Sequence, residues 1–439
     1  MTQTAPAPPA AARRIAGLAL PALVVLAAEP LYVLVDTAVV GHLGRAPLAA
    51  LAVGGTVMTL TAWLGTVVAY GTTGRSARRF GSGDRAAAVA EGVQASWLAF
   101  GVGVLVALAM QLGGGALART LVGSSGEVAD AAAQWLRIAA LGAPGLLLAA
   151  AGNGWLRGVQ DTRRPLFFVL GPNLLSAVLC PLLVYPVGLG LAGSAVANVV
   201  AQTLGGALFA AALVRERVPL RPRLHQIRQQ LVLSRDLLIR GAAFQASFLS
   251  ATAVASRFGA AAVGAHQIAL QLWFFTALVL DALAIAAQSL VGAALGAGDE
   301  AGAKALARRI GLLGGACGVA FAVLIGAGAG VVPALFSSDP LVREQAMVAW
   351  PWFVAMQPLA GVVFALDGVL IGAGDVRYLR NLTVVAALGG FLPAIWLAYG
   401  LDLGLGGIWA GLTLFVVLRL VALLLRLRSG RWAVVGAVR

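Results

Sequence analysis

The stretch IAGLALPALVVLAAEPLYVLVDTAVVG, residues 15–41, decides how the rest of the chain is interpreted. It is long and apolar enough to cross a bilayer, because about 20 helical residues span a hydrocarbon core of roughly 30 Å. It also contains Glu29, Tyr32 and Asp36, which the helical repeat places on one face, and Pro30, which bends a helix. A carboxylate at the bilayer centre costs roughly 2.5–3.5 kcal/mol, so this face is predicted to look into protein or a water-filled cavity.

The two acids of this helix allow different interpretations. For Asp36 the pattern favours a functional role over a structural hydrogen bond to a neighbouring helix. For Glu29, which lies nearer the midpoint and beside the proline, both interpretations stay open.

The composition of the chain excludes a soluble protein. Of its 439 residues, 60% are hydrophobic and 11% are charged, and the mean hydropathy is +0.92. The net charge of +14 does not indicate a nucleic-acid partner, because the basic residues lie in the short segments between apolar stretches. Cys180 and Cys317 both lie inside apolar stretches, so we expect no disulfide framework, no metal site and no cofactor.

Apolar stretches recur along the whole chain and predict an all-α polytopic membrane protein with twelve transmembrane helices. The predicted spans are 15–41, 47–73, 88–112, 128–150, 165–187, 190–214, 234–256, 262–294, 307–335, 343–371, 380–400 and 404–426. Arginines cluster after the even-numbered spans, so the positive-inside rule places both termini in the cytoplasm and the protein in the inner (plasma) membrane.

An internal repeat divides the chain into two lobes of six helices. Loop residues recur in register, and the pairs are Gly44 and Gly259, Gly83 and Gly298, Asp84 and Asp299, Gly154 and Gly368, and Asp161 and Asp375. Such lobes are expected to be related by a pseudo-two-fold axis along the membrane normal, with a cavity at their interface. The predicted parts are a flexible tail 1–14, an N-lobe 15–214, a cytoplasmic linker 215–233, a C-lobe 234–427 and a cytoplasmic tail 428–439.

Four segments carry a resemblance to a known family, and they occur in the expected order along nearly the whole chain. They are EPLYVLVDTAVVGHLG (29–44), RGVQDTRRP (157–165), AHQIALQLWFFTALVLDALAIAAQSLVGAALGAGD (265–299) and FALDGVLIGAGDVRYLRN (364–381). The chain resembles the MATE (multidrug and toxic compound extrusion) family, in its DinF-like branch. The resemblance implies the twelve-helix MATE/MOP transporter fold and a secondary antiporter rather than an enzyme.

The resemblance also implies a mechanism and a partner. Members of the family expel amphipathic, often cationic organic compounds by alternating access, in exchange for protons or sodium. Asp36 matches the coupling acid of the first helix. The residues that match the polar lining of the N-lobe cavity are Tyr32, Asn153, Ser176, Cys180 and Asn198.

Helical spacing adds two further candidates to this lining. Trp135 shares a helix face with Asn153, and Asn173 shares one with Ser176 and Cys180. Family members with a second acid in this lobe have it at the position of Cys180. The absence of that acid here favours H⁺ as the coupling ion. Na⁺ coupling stays an alternative, and the transporter is expected to be a monomer.

The C-lobe contains its own candidates. Asp281 and Gln288 share a face of span 8, and Gln267 lies close to that stripe. Asp367 on span 10 matches an acid that is tied to sodium binding in some branches of the family. For both acids a functional role and a structural network stay equally open. His266, at the apolar start of span 8, is interpreted as a helix-packing residue.

Two other functions are alternatives to export. A flippase for lipid-linked precursors would share the fold, but it would line its cavity with several arginines, and Arg137 is the one arginine clearly in mid-span. An intramembrane aspartyl protease is suggested by GAGD (372–375). It is disfavoured, because similar loops recur after spans 2 and 8.

Overall fold

The computed structural model describes residues 8–123 and 126–438 of the chain. Twelve helices in this part are long and apolar enough to cross a membrane, which confirms the predicted all-helical architecture. Their bounds are α1 Pro8–Gly41, α2 Arg45–Gly81, α3 Arg85–Val122, α4 Glu127–Gly158, α5 Arg163–Val184, α6 Leu191–Arg215, α7 Leu224–Phe258, α8 Ala260–Gly296, α9 Glu300–Ala327, α10 Pro340–Gly372, α11 Val376–Gly400 and α12 Gly404–Arg428. A short helix, Val332–Phe336, lies between α9 and α10.

Many helix ends differ from the hydropathy-based bounds, and three of them bear on the predicted parts of the chain. Helix α1 begins at Pro8, so residues 8–14 of the predicted flexible tail are helical, while residues 1–7 lie outside the described residues. Proline is tolerated in a first helical turn and alanine favours the helix that follows it. Helix α7 begins at Leu224, inside the predicted linker, and α9 ends at Ala327 before a glycine-rich turn.

The chain forms two compact units. The first unit is Leu20–Ser234, and the second is Arg235–Arg439 together with the start of α1. In the first unit α4 packs against α2, α3 and α6, and in the second α10 packs against α8, α9 and α12. The fourth and tenth helices are partners in the internal repeat, so each unit has the same kind of helix at its centre.

Close helix contacts at the repeat-related glycines explain why these positions have no side chain. A Cβ atom on Gly154 of α4 would lie 2.7 Å from the carbonyl oxygen of Ala69 on α2. A Cβ atom on Gly368 of α10 would overlap the carbonyl oxygen of Ala284 on α8. Membrane helices without a hydrophobic driving force between them gain packing energy from such close backbone approach.

The repeated GSGD and GAGD loops determine where α3 and α9 begin. Gly83 and Gly298 have φ values of +84° and +79°, which favour glycine. The carboxylate of Asp84 then accepts a hydrogen bond from the amide of Ala87 (2.8 Å), and that of Asp299 from the amide of Gly302 (2.7 Å). These N-caps start each helix before its apolar stretch, so both helices begin earlier than hydropathy predicts.

Glu216, just after α6, ties three helix ends of the first unit together. Arg85 at the start of α3 donates to its carboxylate at 2.9 Å, and Arg164 at the start of α5 donates at 3.2 Å. Partial burial alone would raise the pKa of Glu216, but the two guanidinium groups outweigh burial and lower that pKa below its ordinary value. The carboxylate therefore stays charged and holds the ends of these helices at neutral pH.

The glycine contacts give a direct test of the packing. We expect Gly154→Ala and Gly368→Ala each to lower stability by about 1–3 kcal/mol, because the added methyl group must displace backbone. Gly171→Ala is the matched control, since Gly171 is an exposed helical glycine with nothing near its Cβ position. Thermal unfolding in detergent, followed by tryptophan fluorescence, measures all three. Equal stability of the three variants would contradict the close contacts.

Candidate functional site

Asp36 lies in the buried stripe of α1 in the first unit. This stripe is Ala22, Val25, Ala28, Tyr32, Asp36 and Val40. Asp36 is only 5% exposed, and its Oδ1 atom accepts a hydrogen bond from the thiol of Cys180 on α5 at 3.2 Å. The Tyr185 hydroxyl, just after α5, donates to the carbonyl oxygen of Val39 at 2.6 Å and holds α1 against this helix.

The surroundings of Asp36 contain neutral hydrogen-bonding groups and no counter-ion. The side chain of Ser194, near the start of α6, is its second hydrogen-bonding neighbour. None of the ion pairs in the described part of the chain involves Asp36. Hydroxyl and thiol groups can donate to a carboxylate or accept from a carboxylic acid, so this site accommodates both protonation states.

Trp135 of α4 positions Ser194. The indole Nε1 atom donates to the Ser194 hydroxyl at 3.2 Å, and Trp135 is 2% exposed. Because the indole N–H occupies an acceptor position of this hydroxyl, the hydroxyl proton stays available for Asp36. Ser194 was missed in the sequence, although it lies four residues before Asn198 on the same helix face. That spacing was the available signal.

Tyr32, one turn before Asp36, lies beside a group of buried polar atoms without partners. Its neighbours are the side chains of Ser176 on α5 and Asn198 on α6. The Tyr32 hydroxyl, the Ser176 hydroxyl and the Asn198 Oδ1 atom face one another and have no other hydrogen-bond partner among the described residues. An unsatisfied buried polar group costs about 1–3 kcal/mol, so these atoms are candidate partners for water or a ligand.

The other predicted N-lobe residues divide into two groups. Asn153 of α4 is half-buried and its Oδ1 atom has no partner among the described residues, as expected of a cavity-lining residue. Asn173 instead donates to the carbonyl oxygen of Val169 in its own helix at 2.8 Å. Its amide is therefore engaged by the backbone of α5 and is not directed to Asp36.

Glu29 is more exposed than the other two polar residues of this face. Tyr32 is 7% and Asp36 is 5% exposed, whereas Glu29 is exposed. The seven-residue spacing still places Glu29 within about 20° of Asp36 around the helix. An exposed side chain in that direction is compatible with a water-filled cavity, so the role of Glu29 stays a prediction.

The predicted candidates of the second unit differ in burial. Gln267 is exposed, and its place beside the stripe of Asp281 and Gln288 stays a prediction. Asp281 is half-buried, and Gln288 is 1% exposed with an amide that has no partner in the described chain. His266 is fully buried and packs against Trp409, with ring centroids 5.7 Å apart.

Asp367 is neutralised by two arginines that the sequence analysis overlooked. Its Oδ2 atom accepts hydrogen bonds from Arg240 of α7 and from Arg419 of α12. Both arginines lie within membrane-spanning helices, so the interpretation of Arg137 as the one mid-span arginine is wrong. An acid already held by two guanidinium groups is a poor ligand for sodium.

Comparisons with known proteins agree with this architecture. The model of the MatE family matches residues 21–182 and 237–396. The chain is 34% identical over 438 residues to Protein DETOXIFICATION 44, chloroplastic, of Arabidopsis thaliana, covering 95% of this chain and 83% of that protein. It is 32% identical over 430 residues to DNA damage-inducible protein F of Escherichia coli strain K12, covering 94% and 92%. A crystal structure of MATE in the bent conformation has the same fold, with a TM-score of 0.87 at 22% identity over 96% of this chain and 95% of that chain.

The contact between Cys180 and Asp36 predicts how a second acid would behave there. Cys180→Asp would place two carboxyl groups within hydrogen-bonding distance, where they cannot both be charged without strong repulsion. We therefore expect this variant to lose thermal stability as the pH rises from acidic to alkaline, more steeply than the wild type does. Detergent unfolding at a series of pH values measures the difference.

Cys180→Ser is the matched control, because serine keeps a neutral donor at the same position. Its stability is expected to follow the wild type across the same pH series. If Cys180→Asp and Cys180→Ser show the same pH dependence, the two side chains do not face each other.

Proposed function

Because the chain belongs to the MATE family of multidrug and toxic compound efflux transporters, we propose that it exports amphipathic, cationic organic compounds in exchange for protons, with Asp36 as the protonation site. The resemblance to the DinF-like branch is confirmed by the bacterial relative. The observation that carries the proposal is a buried carboxyl group with neutral donors and no ion-pair partner in the described chain.

Proton and substrate are exchanged because both compete to neutralise the Asp36 carboxylate. Low dielectric surroundings disfavour an unpaired carboxylate, so Asp36 needs either a proton or a substrate cation. The two cannot both neutralise it at once, so binding of one weakens binding of the other. This reciprocal weakening is the coupling free energy that an antiporter requires.

The unpartnered polar atoms beside Asp36 supply the recognition of the organic part. The Tyr32 hydroxyl, the Ser176 hydroxyl and the amides of Asn153 and Asn198 can turn to suit different ligands. A small number of adaptable polar groups at a buried acid suits compounds that share a positive charge and little else. We propose that protonation of Asp36 changes the bend of α1 at Pro30, and that alternating access follows from this change.

Protons suit this site better than sodium. A hard cation prefers several oxygen ligands, and thiols prefer softer metals. The second acid that would favour sodium is replaced by Cys180, whose thiol contacts Asp36 directly. The acid of the second unit, Asp367, is already paired with two arginines.

Two mid-span arginines would favour the flippase alternative, but both are already paired with an acid. Arg240 and Arg419 share Asp367, so the cluster carries one excess positive charge, which is far too little to balance a pyrophosphate.

We further propose that the protein acts as a monomer in the inner membrane. We expect both termini in the cytoplasm, since arginines cluster after the even-numbered helices.

The protonation site is tested by Asp36→Asn in everted membrane vesicles. This variant keeps the shape and most hydrogen bonds but cannot titrate, so we expect efflux of a cationic dye driven by a pH gradient to fall to the level of vesicles without the protein. Asp130→Asn, which removes an exposed acid of the same unit, should transport normally. A sodium gradient without a pH difference should drive no efflux by the wild type.

Expression and detergent stability of each variant are measured in parallel. Proton-driven efflux at the wild-type rate by well-folded Asp36→Asn protein would exclude Asp36 as the coupling site. If Asp36→Asn lowers folding stability, and the protein that does fold still transports, Asp36 is a structural residue.

A further inference from the structure

A cluster of two arginines around one carboxylate lies in the second unit, apart from Asp36 and its neighbours. Arg240 of α7 and Arg419 of α12 each place an Nη2 atom 2.5 Å from Asp367 Oδ2. The side chains of Arg240, Asp367 and Arg419 are 13%, 8% and 3% exposed. The formal charge of this arginine–aspartate cluster is therefore +1, and most of it is removed from solvent.

The charged groups that act on Arg419 belong to the cluster itself: Asp367 attracts it and Arg240 repels it. One carboxylate cannot neutralise two guanidinium groups, and an uncompensated buried charge is strongly destabilising. A folded protein with such a cluster is most stable when a further anion occupies it.

Unused donors remain on both arginines. The Nε atoms of Arg240 and Arg419 are buried and have no hydrogen-bond partner in the described chain, and neither has Asp367 Oδ1. A guanidinium group presents donors in a planar arrangement that matches the two oxygens of a carboxylate. The cluster thus combines one surplus positive charge with free donors suited to a planar anion.

Aromatic rings provide the apolar side of the cluster. Phe244 lies under both guanidinium groups, with its ring centroid 4.7 Å from the Arg419 Cζ atom and 5.4 Å from that of Arg240. Phe248 stacks on Phe244 at 6.5 Å, and Phe415 meets it edge-on at 5.6 Å. These rings hold the guanidinium planes and offer contact area to an aromatic or aliphatic ligand.

We propose that the arginine–aspartate cluster binds the carboxylate of a small amphipathic organic anion. The surplus of one charge matches a monovalent carboxylate, whereas a phosphate monoester carries about −1.5 to −2 charges at neutral pH and would overcompensate it. This site goes beyond the proposed export of cations and does not depend on Asp36. It extends the ligands of the transporter to compounds with an acidic group.

The test measures binding of dansylglycine to the purified full-length protein in detergent, by the change in dansyl fluorescence. The methyl ester of dansylglycine is the matched probe without the charge. We expect the acid to bind about tenfold more tightly than the ester, because only the acid can form a charged hydrogen bond with a guanidinium group. Arg419→Gln and Arg240→Gln should each remove this difference, whereas Asp367→Asn should preserve or increase it, because the cluster then carries +2.

Arg426→Gln is the control on the same helix, since Arg426 has its own carboxylate partner in Asp375 at 2.7 Å. It should bind the acid as the wild type does. Damage to folding would weaken binding in the arginine and aspartate variants alike, so opposite effects identify charge as the cause. If Arg419→Gln does not fold, Arg240→Gln decides. Equal binding of acid and ester by the wild type, or weaker binding by both Arg240→Gln and Asp367→Asn, would overturn the proposal.

Discussion

A charge inside a hydrocarbon layer has no water to solvate it, so every buried ionisable group of this transporter must be neutralised by some other means. Two buried acids of its spanning helices meet this constraint in opposite ways. Asp367 is held by Arg240 and Arg419. Asp36 has a thiol and a hydroxyl as neighbours. A permanently paired acid keeps its charge through any transport cycle, whereas an acid among neutral donors must exchange its neutralising partner. This difference is the basis for proposing Asp36 as the coupling site and the arginine–aspartate cluster as an anion-binding site.

The same backbone frame supports both kinds of site. Gly154 and Gly368 bring α4 and α10 against α2 and α8 by equivalent close contacts, and equivalent aspartates cap α3 and α9. The repeat has therefore preserved helix packing and loop geometry in both units, while the polar residues differ. Cavity chemistry can diverge at little cost because the small-residue contacts, rather than the polar groups, hold the helices together.

Much of this could be predicted from the sequence, and the failures have definite physical causes. Hydropathy predicted the number and order of the spans but started α3 and α9 too late, because Asp84 and Asp299 cap these helices before the apolar residues begin. Asp36 and Cys180 were predicted as site residues from the resemblance, and the structure brings them into contact. Ser194 and the arginine–aspartate cluster were missed, because partners from helices distant in sequence are determined by tertiary packing. Glu29 and Gln267 are exposed, because helical spacing gives the direction of a side chain but not how far neighbouring helices cover it.

The most direct measurement of the central claim counts protons when a substrate binds. A cationic fluorescent compound is added to purified protein in weakly buffered detergent solution near neutral pH, and both bound dye and released protons are recorded. If proton and substrate exchange at Asp36, the wild type releases up to about one proton per bound molecule, and Asp36→Asn releases none even where it still binds dye. Equal proton release by wild type and Asp36→Asn, or binding to the wild type without any release across the pH range of transport, would contradict the account.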